Sequence, residues 1–177
     1  MTQVLQTDRI LLRRFVESDL DDLCRLYADQ EVRRFFPQVF LSRAEAEEEL
    51  AWSIHGSDDL HPNLRLYAAI DRRTGSFIGR GGFVRWEFDG TVEVEIAYMI
   101  DKDLWRRGMG SELAHALLCY GFSTLPVQHL IAVIDASNTA SIKTAEKIGM
   151  SRRRSIFHAE RECSVFAVSA TDHKPST

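Results

Sequence analysis

At 177 residues, with 45% hydrophobic and 27% charged side chains, the chain has the size and composition of one ordinary domain that buries a core without disulfide staples. A formal net charge of -4 argues against a dedicated nucleic-acid binder, which needs clustered cations that outweigh local acids. Met1-Thr2-Gln3-Val4 lacks a charged segment leading into an apolar one, and no apolar run approaches the roughly 18 residues that span a bilayer, so neither a secretory signal nor a membrane segment is expected.

The pairs Arg33-Arg34, Arg72-Arg73 and Arg106-Arg107 and the run Arg152-Arg153-Arg154 read as solvated faces. Cys24, Cys119 and Cys163 have no metal-type spacing and read as small buried hydrophobes in a reducing cytoplasm.

Arg9 to Phe15 reads as a first strand. Ser18 with Asp21 makes a helix-start signature ahead of Leu20, Leu23, Leu26 and Tyr27, and Ser42 with Glu45 opens a second helix running to about Ile54. Phe35-Phe36-Pro37 should break regular structure between them. Glu45, Glu47, Glu48 and Glu49 read as a solvated helix face, the alternative being a docking site for a cationic acceptor. His55 to Pro62 is loop, and its two histidines lack a third ligand. Leu64 to Ile70 and Ser76 to Val84 form a hairpin with Gly75 in its turn. Trp86 to Gly90 then turns into the strand Glu93 to Ile100.

That strand gives way to Leu104-Trp105-Arg106-Arg107-Gly108-Met109-Gly110-Ser111, and Gly110 to Phe122 carries an apolar face at helical spacing. A strand, a glycine-containing turn and a helix start in that order aim backbone amides at a phosphate. The first amides of a helix have no intrahelical acceptor and carry the positive end of its dipole. Gly108 and Gly110 permit positive φ and close approach, and Arg106 and Arg107 add charge at the rim. The two better-known phosphate motifs are absent: no Gly-Lys-Ser/Thr follows at the P-loop spacing, and no third glycine completes a dinucleotide fingerprint.

Beyond the helix, Gln128 to Ile134 is a β-branched run suited to a central strand, parallel to the Glu93 strand because the intervening helix is a crossover. Asn138 reads as an N-cap and Gly149 as a helix stop. Strands near Ser151 to Phe157 and Glu162 to Ser169 complete one domain over residues 1–170, followed by a tail, 171–177, expected to be frayed.

Glu95-Ile96-Ala97-Tyr98, then Trp105-Arg106-Arg107-Gly108-Met109-Gly110, then Asn138-Thr139-Ala140-Ser141 running to Lys147-Ile148-Gly149-Met150, together resemble the GNAT superfamily of acyl-CoA-dependent N-acyltransferases. The opening Thr7-Asp8-Arg9-Ile10-Leu11-Leu12-Arg13-Arg14 with Asp19 resembles the RimJ/RimL-like, ribosomal-protein alanine acetyltransferase branch. The resemblance covers nearly the whole chain. It implies an α/β fold: a mixed, mostly antiparallel sheet of about seven strands, splayed between strands 4 and 5 (the Glu93 and Gln128 strands) and flanked by about four helices.

The resemblance further implies acetyl-CoA as co-substrate and no metal. Its pyrophosphate would lie on Arg106, Arg107, Gly108, Met109, Gly110 and Ser111, and its pantetheine arm along Met99, Ile100 and Asn138. Asn138 is equally satisfied as a plain cap. Trp105 stands where the wider superfamily has Gln or Arg, as is common in this branch, and Ala145 replaces a tyrosine that often serves as general acid.

Acyl transfer to an amine requires loss of a proton, since amine pKa values run from about 8 to about 10.4, and a carboxylate in the cleft can take it. The resemblance nominates Glu95 as that base, with Glu93 two residues earlier on the same face in reserve; the plainer alternative is a pair of solvated acids. Ser141 is nominated beside the leaving sulfur, its alternative being an ordinary polar residue in a first helical turn. A backbone amide near Met99 or Ile100 would meet the oxyanion. Cys119 has no paired base in the sequence, so a covalent route is not expected.

The activity implied is direct acetyl transfer to a primary amine, either a small molecule or a protein N-terminus, by a cytoplasmic enzyme. No nucleic acid or membrane partner is expected. Homodimers are common among similar proteins, though no feature of this sequence sets one. The alternative of a different class is a CoA-binding module without catalysis, motivated by Ala145.

Overall fold

The computed structural model describes residues 2–36, 42–56 and 61–173. Eight strands form a single sheet among them: β1 (Gln3–Gln6), β2 (Ile10–Arg13), β3 (Leu66–Asp71), β4 (Phe77–Phe88), β5 (Thr91–Ile100), β6 (His129–Asp135), β7 (Ser151–His158) and β8 (Arg161–Ser169), in the spatial order β1-β2-β3-β4-β5-β6-β8-β7. Five helices flank it: α1 (Leu20–Ala28), α2 (Gln30–Arg33), α3 (Arg43–His55), α4 (Met109–Thr124) and α5 (Thr139–Lys147). The fold is the mixed α/β arrangement expected, with one strand and one helix more. β1 has too short an apolar pattern to be read in sequence, and α2 is a single turn capped by Asp29, whose carboxylate accepts from Glu31 and Val32.

All neighbours pair antiparallel except β5 and β6, which are parallel and share one registered pair, Glu95 with Ile131. The crossover through α4 forces that parallel direction, and the strands part on leaving the pair. Side chains alternate across β5. Val94, Ile96 and Ile100 enter a core with Leu113, Leu117 and Leu118 of α4, while Met99 enters a second core with Leu23, Leu26, Tyr27 and Leu50 of α1 and α3.

Where elements differ from the sequence reading, the causes are local. β4 continues through Trp86 to Phe88, and the turn falls at Asp89-Gly90, both at positive φ, the backbone that a two-residue hairpin demands. Ser18 does not cap α1. The chain passes through a 3-10 turn at Glu17–Asp19, because Asp19 is needed elsewhere. Its two oxygens each accept from the Arg13 guanidinium at 2.7 Å, and one also accepts from the Val16 amide at 2.9 Å. Ser42 and Glu45 do form the expected capping box. The Phe35-Phe36-Pro37 break falls after α2, with Pro37 outside the described residues, as is part of the His55 to Pro62 loop.

Thr171 to His173 fold back so that His173 Nε2 lies 3.5 Å from Cys119 Sγ on α4. Cys119 thus has imidazole neighbours, His173 and His115, that the sequence does not reveal. None of the three cysteines is in a disulfide. Among the described residues no helix is long and apolar enough to cross a membrane.

The side chains of Arg13 and Asp19 are only 9% and 6% exposed, so removing one leaves the other charge buried without a partner. Asp19→Ala is expected to lower unfolding free energy by about 3–5 kcal/mol, read as a lower denaturation midpoint at unchanged slope. A loss under about 1 kcal/mol would mean that the pair behaves as an exposed one.

Candidate active site

The parting of β5 and β6 creates a problem of backbone satisfaction. Val133 follows Ile131 on the same edge of β6, where a continued ladder would pair its amide with a β5 carbonyl. The Glu95 side chain takes that amide instead, Oε1 accepting from Val133 N at 3.0 Å, while Oε2 accepts from Trp86 Nε1 at 2.5 Å. The carboxylate is therefore held at the opening by one donor from each wall. Burial pushes its pKa up to about 7, against the opposing pull of the Trp86 and Val133 hydrogen bonds and of the Arg80 charge. Glu93, on the same face, is committed to Arg154 at 3.1 Å and His129 at 3.4 Å. The two acids named from sequence are thus separated by their surroundings.

The glycine turn stands open. Asp101 N donates to the Ile78 carbonyl, which makes Asp101 and Ile78 a hydrogen-bonded pair. By the alternation of an antiparallel ladder, Met99 then bonds to β4, and the main-chain groups of Tyr98 and Ile100 turn toward the cleft. The Ile100 carbonyl accepts from Trp105 Nε1 at 2.8 Å, which pins the turn to the strand end. Of the two positions named for a cleft-facing amide, Ile100 is so oriented and Met99 is not; Tyr98 joins Ile100.

The first main-chain bond of α4 runs from Glu112 to the Gly108 carbonyl. Among the described residues, the amides of Arg106, Arg107, Gly108, Met109, Gly110 and Ser111 donate to no main-chain carbonyl. Positive φ falls at Arg106 (+62°) and Gly108 (+79°), whereas Gly110 is ordinary helix. Arg106 and Arg107 are exposed, and the Met109 side chain is buried in the α4 core.

This turn is braced by the opening segment of the chain. Glu112 Oε1 accepts from Thr7 Oγ1 at 2.5 Å and from Arg9 N at 3.0 Å, Oε2 accepts from Arg9 Nε at 2.6 Å, and Arg9 Nη1 donates to the Arg107 carbonyl at 2.8 Å. Burial alone would raise the Glu112 carboxyl. The Thr7 and Arg9 hydrogen bonds outweigh it and hold the group below its usual value.

On the opposite wall, Asn138 caps α5 by accepting from Ser141 N at 3.1 Å, and is itself buried. Burial raises the Tyr98 phenol, although Thr144 and Ser141 hydroxyls beside it pull the other way. Ser111 Oγ lies 3.4 Å from Thr144 Oγ1. Hydroxyls from β5, α4 and α5 thus gather at one point. Ala145 lines the same wall.

Two cavities meet at Glu95. A small one, about 50 Å³, runs along Tyr98, Asn138, Ser141 and Ala145. A larger one, about 600 Å³, is lined by Trp52, Arg80, Trp86 and Asp135 among others. Glu95, Asn138 and Ser141 are therefore brought together, and the turn residues form a separate end of the site. Tyr98, Trp86, Arg80 and Arg9 are structural findings that sequence reasoning did not single out. Only Arg9 and Tyr98 had a signal, as members of quoted motifs. Cys119 lines neither cavity, and among the described residues no three acids, histidines or cysteines form a metal-binding group.

A carboxyl with a native value near 7 and an ordinary value of 4.5 binds more protons folded than unfolded between those limits. Its contribution to stability therefore falls as pH rises from about 4.5 to 7 and stays lost above. Glu95→Gln is expected to remove this slope. Between about pH 5 and about pH 8 the variant should lose less melting temperature than the parent, and equal losses would show that Glu95 does not titrate there.

Residues 9–151 match the acetyltransferase (GNAT) domain family. YkkB of Bacillus subtilis (strain 168), an uncharacterized protein, is 33% identical over 153 residues, which cover 86% of this chain and 87% of that one. Among solved structures, the spermidine N-acetyltransferase of Vibrio cholerae, in complex with CoA and spermine, aligns with a TM-score of 0.78 at 15% identity over 94% of this chain and 98% of its own. The ribosomal alpha-N-protein acetyltransferase RimL, in complex with coenzyme A, aligns with a TM-score of 0.74 at 17% identity over 94% and 97%. At such identities these two structures speak for the fold, while the family match and the YkkB relationship span most of the sequence. The chain belongs to the GNAT acetyltransferase family and is an acetyltransferase.

Proposed function

We propose that this enzyme is an acetyl-CoA-dependent N-acetyltransferase of the RimJ/RimL-like branch, which moves an acetyl group to a primary amine by direct attack in a ternary complex. The observation that carries the reading is the Glu95 carboxylate at the junction of two cavities, one running to Asn138 and Ser141 and the other to Arg80 and Trp86. The spermidine enzyme and RimL, both solved with CoA, support CoA as the carrier and leave the acceptor open between a small amine and a protein N-terminus.

The residues present fit such a carrier. The unengaged amides from Arg106 to Ser111, at the positive end of the 16-residue helix α4, suit a diphosphate. The cleft-facing main-chain groups of Tyr98 and Ile100 suit an amide-bearing arm, with Asn138 on the far wall. When bound, acetyl-CoA supplies the acyl group as an activated thioester. Glu95 accepts the proton of the acceptor amine, directly or through water. A carboxylate with a pKa near 7 is better matched to that task than an ordinary one. One of the cleft-facing amides, of Tyr98 or Ile100, donates to the oxyanion. Ser141 Oγ, backed by the protonated Tyr98 phenol, returns a proton on the opposite side, and this hydroxyl group takes the place of the tyrosine that Ala145 replaces.

Glu95→Gln is expected to lower turnover by about 10²-fold or more while calorimetry still finds CoA bound. In the parent the rate should rise with pH through about 7 as Glu95 ionises, and the variant should lack that limb. Ser141→Ala is expected to cost roughly 10-fold, since the Tyr98 hydroxyl remains. Full turnover in Glu95→Gln would overturn the assignment of the base, and absence of CoA binding in the parent would overturn the reading as a whole.

A further inference from the structure

The larger cavity is lined by a buried cation that turns one edge toward it. Arg80 projects from β4 with its side chain 6% exposed. Its Nε donates to Tyr27 Oη at 2.5 Å and lies 3.3 Å from Glu49 Oε1. Tyr27 and Glu49 are themselves hydrogen-bonded, so one edge of the guanidinium is clamped. Its two Nη groups have no hydrogen-bond partner among the described residues, and Arg80 lines the cavity.

The other cations of this cavity are in a different position. Arg85 pairs with Glu87 at 3.0 Å and Arg161 with Asp135 at 3.0 Å, and their side chains are 41% and 42% exposed, so water completes their hydrogen bonding. The Arg80 Nη atoms are not sealed from solvent; they meet water in the cavity, which an oxyanion delivered there replaces with charge-assisted hydrogen bonds. The planar fork of an arginine matches a carboxylate through two parallel hydrogen bonds.

Placement along the sheet sets the geometry. Arg80 pairs with Met99 and Val84 with Glu95, so the two side chains rise from one face of the sheet, and their charged ends lie near enough to act on each other. The two side chains are the polar ends of a chamber walled by Trp52, Leu66, Val84 and Trp86. An amine delivered to Glu95 can thus carry its acid group toward Arg80.

Resting on the acetyl-transfer reading above, we propose that the acceptor is an amine that also bears a carboxylate, an amino acid or a close relative, and that the Nη edge of Arg80 is its specificity determinant. Glu49 and Tyr27 act through Arg80 as positioning residues. This assigns Glu49, which the sequence reads as part of a solvated acidic face, to holding a cation rather than recruiting one.

The test is thiol release from acetyl-CoA by the full chain, with three matched sets of acceptors: free amino acids, their carboxamides, and the corresponding amines lacking the acid group. Free amino acids are expected to exceed both other sets by roughly 30-fold or more in kcat/KM, the value of a charge-assisted bidentate contact. In Arg80→Lys, which keeps the charge but not the fork, that ratio should fall about 10-fold, mainly through KM. In Arg80→Met with Glu49→Gln, which leaves no buried charge unpaired, it should collapse toward one.

Activity on all three sets within about threefold of one another, or preference for polycationic amines, would overturn this inference while leaving N-acetyl transfer intact. Absence of transfer to any amine would overturn both.

Discussion

The structure turns on one constraint: two strands forced parallel by a helical crossover share a single registered pair and then separate, so backbone donors that would have joined the sheet need other partners. Glu95 is the partner supplied for Val133. Its carboxylate sits at the mouth of the gap because an amide there must be satisfied, and the burial that this requires is what lifts its pKa to about 7. The hydrogen bonds that hold it there pull its pKa the other way and do not overcome that burial. The gap also leaves the Tyr98 and Ile100 edge of β5 without a neighbouring strand, its Ile100 carbonyl taken by Trp105.

Around the gap each polar element is held from behind. The glycine turn is pinned by Trp105 to the Ile100 carbonyl on one side and by Arg9 to Glu112 and the Arg107 carbonyl on the other. Arg80 is held by Tyr27 and Glu49, and Asn138 by the first turn of its own helix. Preorganised donors lose little on meeting a ligand; the supports are distant in sequence for Glu112 and Arg80 and local for Ile100 and Asn138. The binary separation of Glu93 and Glu95 follows the same logic. One faces Arg154 and His129 at the sheet rim, and the other faces a tryptophan, an amide and a buried arginine, so identical side chains two residues apart meet different surroundings.

Much of the architecture is legible in the amino-acid pattern. The alternation over β5, the glycine turn, the helical face of α4 and the Asn138 cap depend on neighbours within a turn or a pleat, and such signals survive in one dimension. What escapes is long-range. Nothing near Ser18 discloses that Asp19 will be drawn to Arg13, which replaces the simple cap with a 3-10 turn. Nothing in the run Glu45 to Glu49 distinguishes Glu49, which turns inward to Tyr27 and Arg80, from Glu47, which pairs at the surface with Arg43. Gly110 reads as a site of unusual backbone only because it is glycine; positive φ falls instead at Arg106 and Gly108, on either side of the Arg107 carbonyl that Arg9 holds. Arg80 itself lies in Ile78-Gly79-Arg80-Gly81-Gly82, where the sequence offers a cation but no hint of its burial.

The Arg9–Glu112 clasp joins positions 103 residues apart in the chain. Loop closure over such a span is slow relative to forming a hairpin or a helix. The final form of the bend between β5 and α4 is therefore a product of late assembly. Local segments such as the β4–β5 hairpin can take shape during synthesis, but the bend acquires its final rigidity only when the first strands are docked against the start of α4. The open amides of the bend are thus presented in fixed form only by a completed domain, and partly folded chains do not present them.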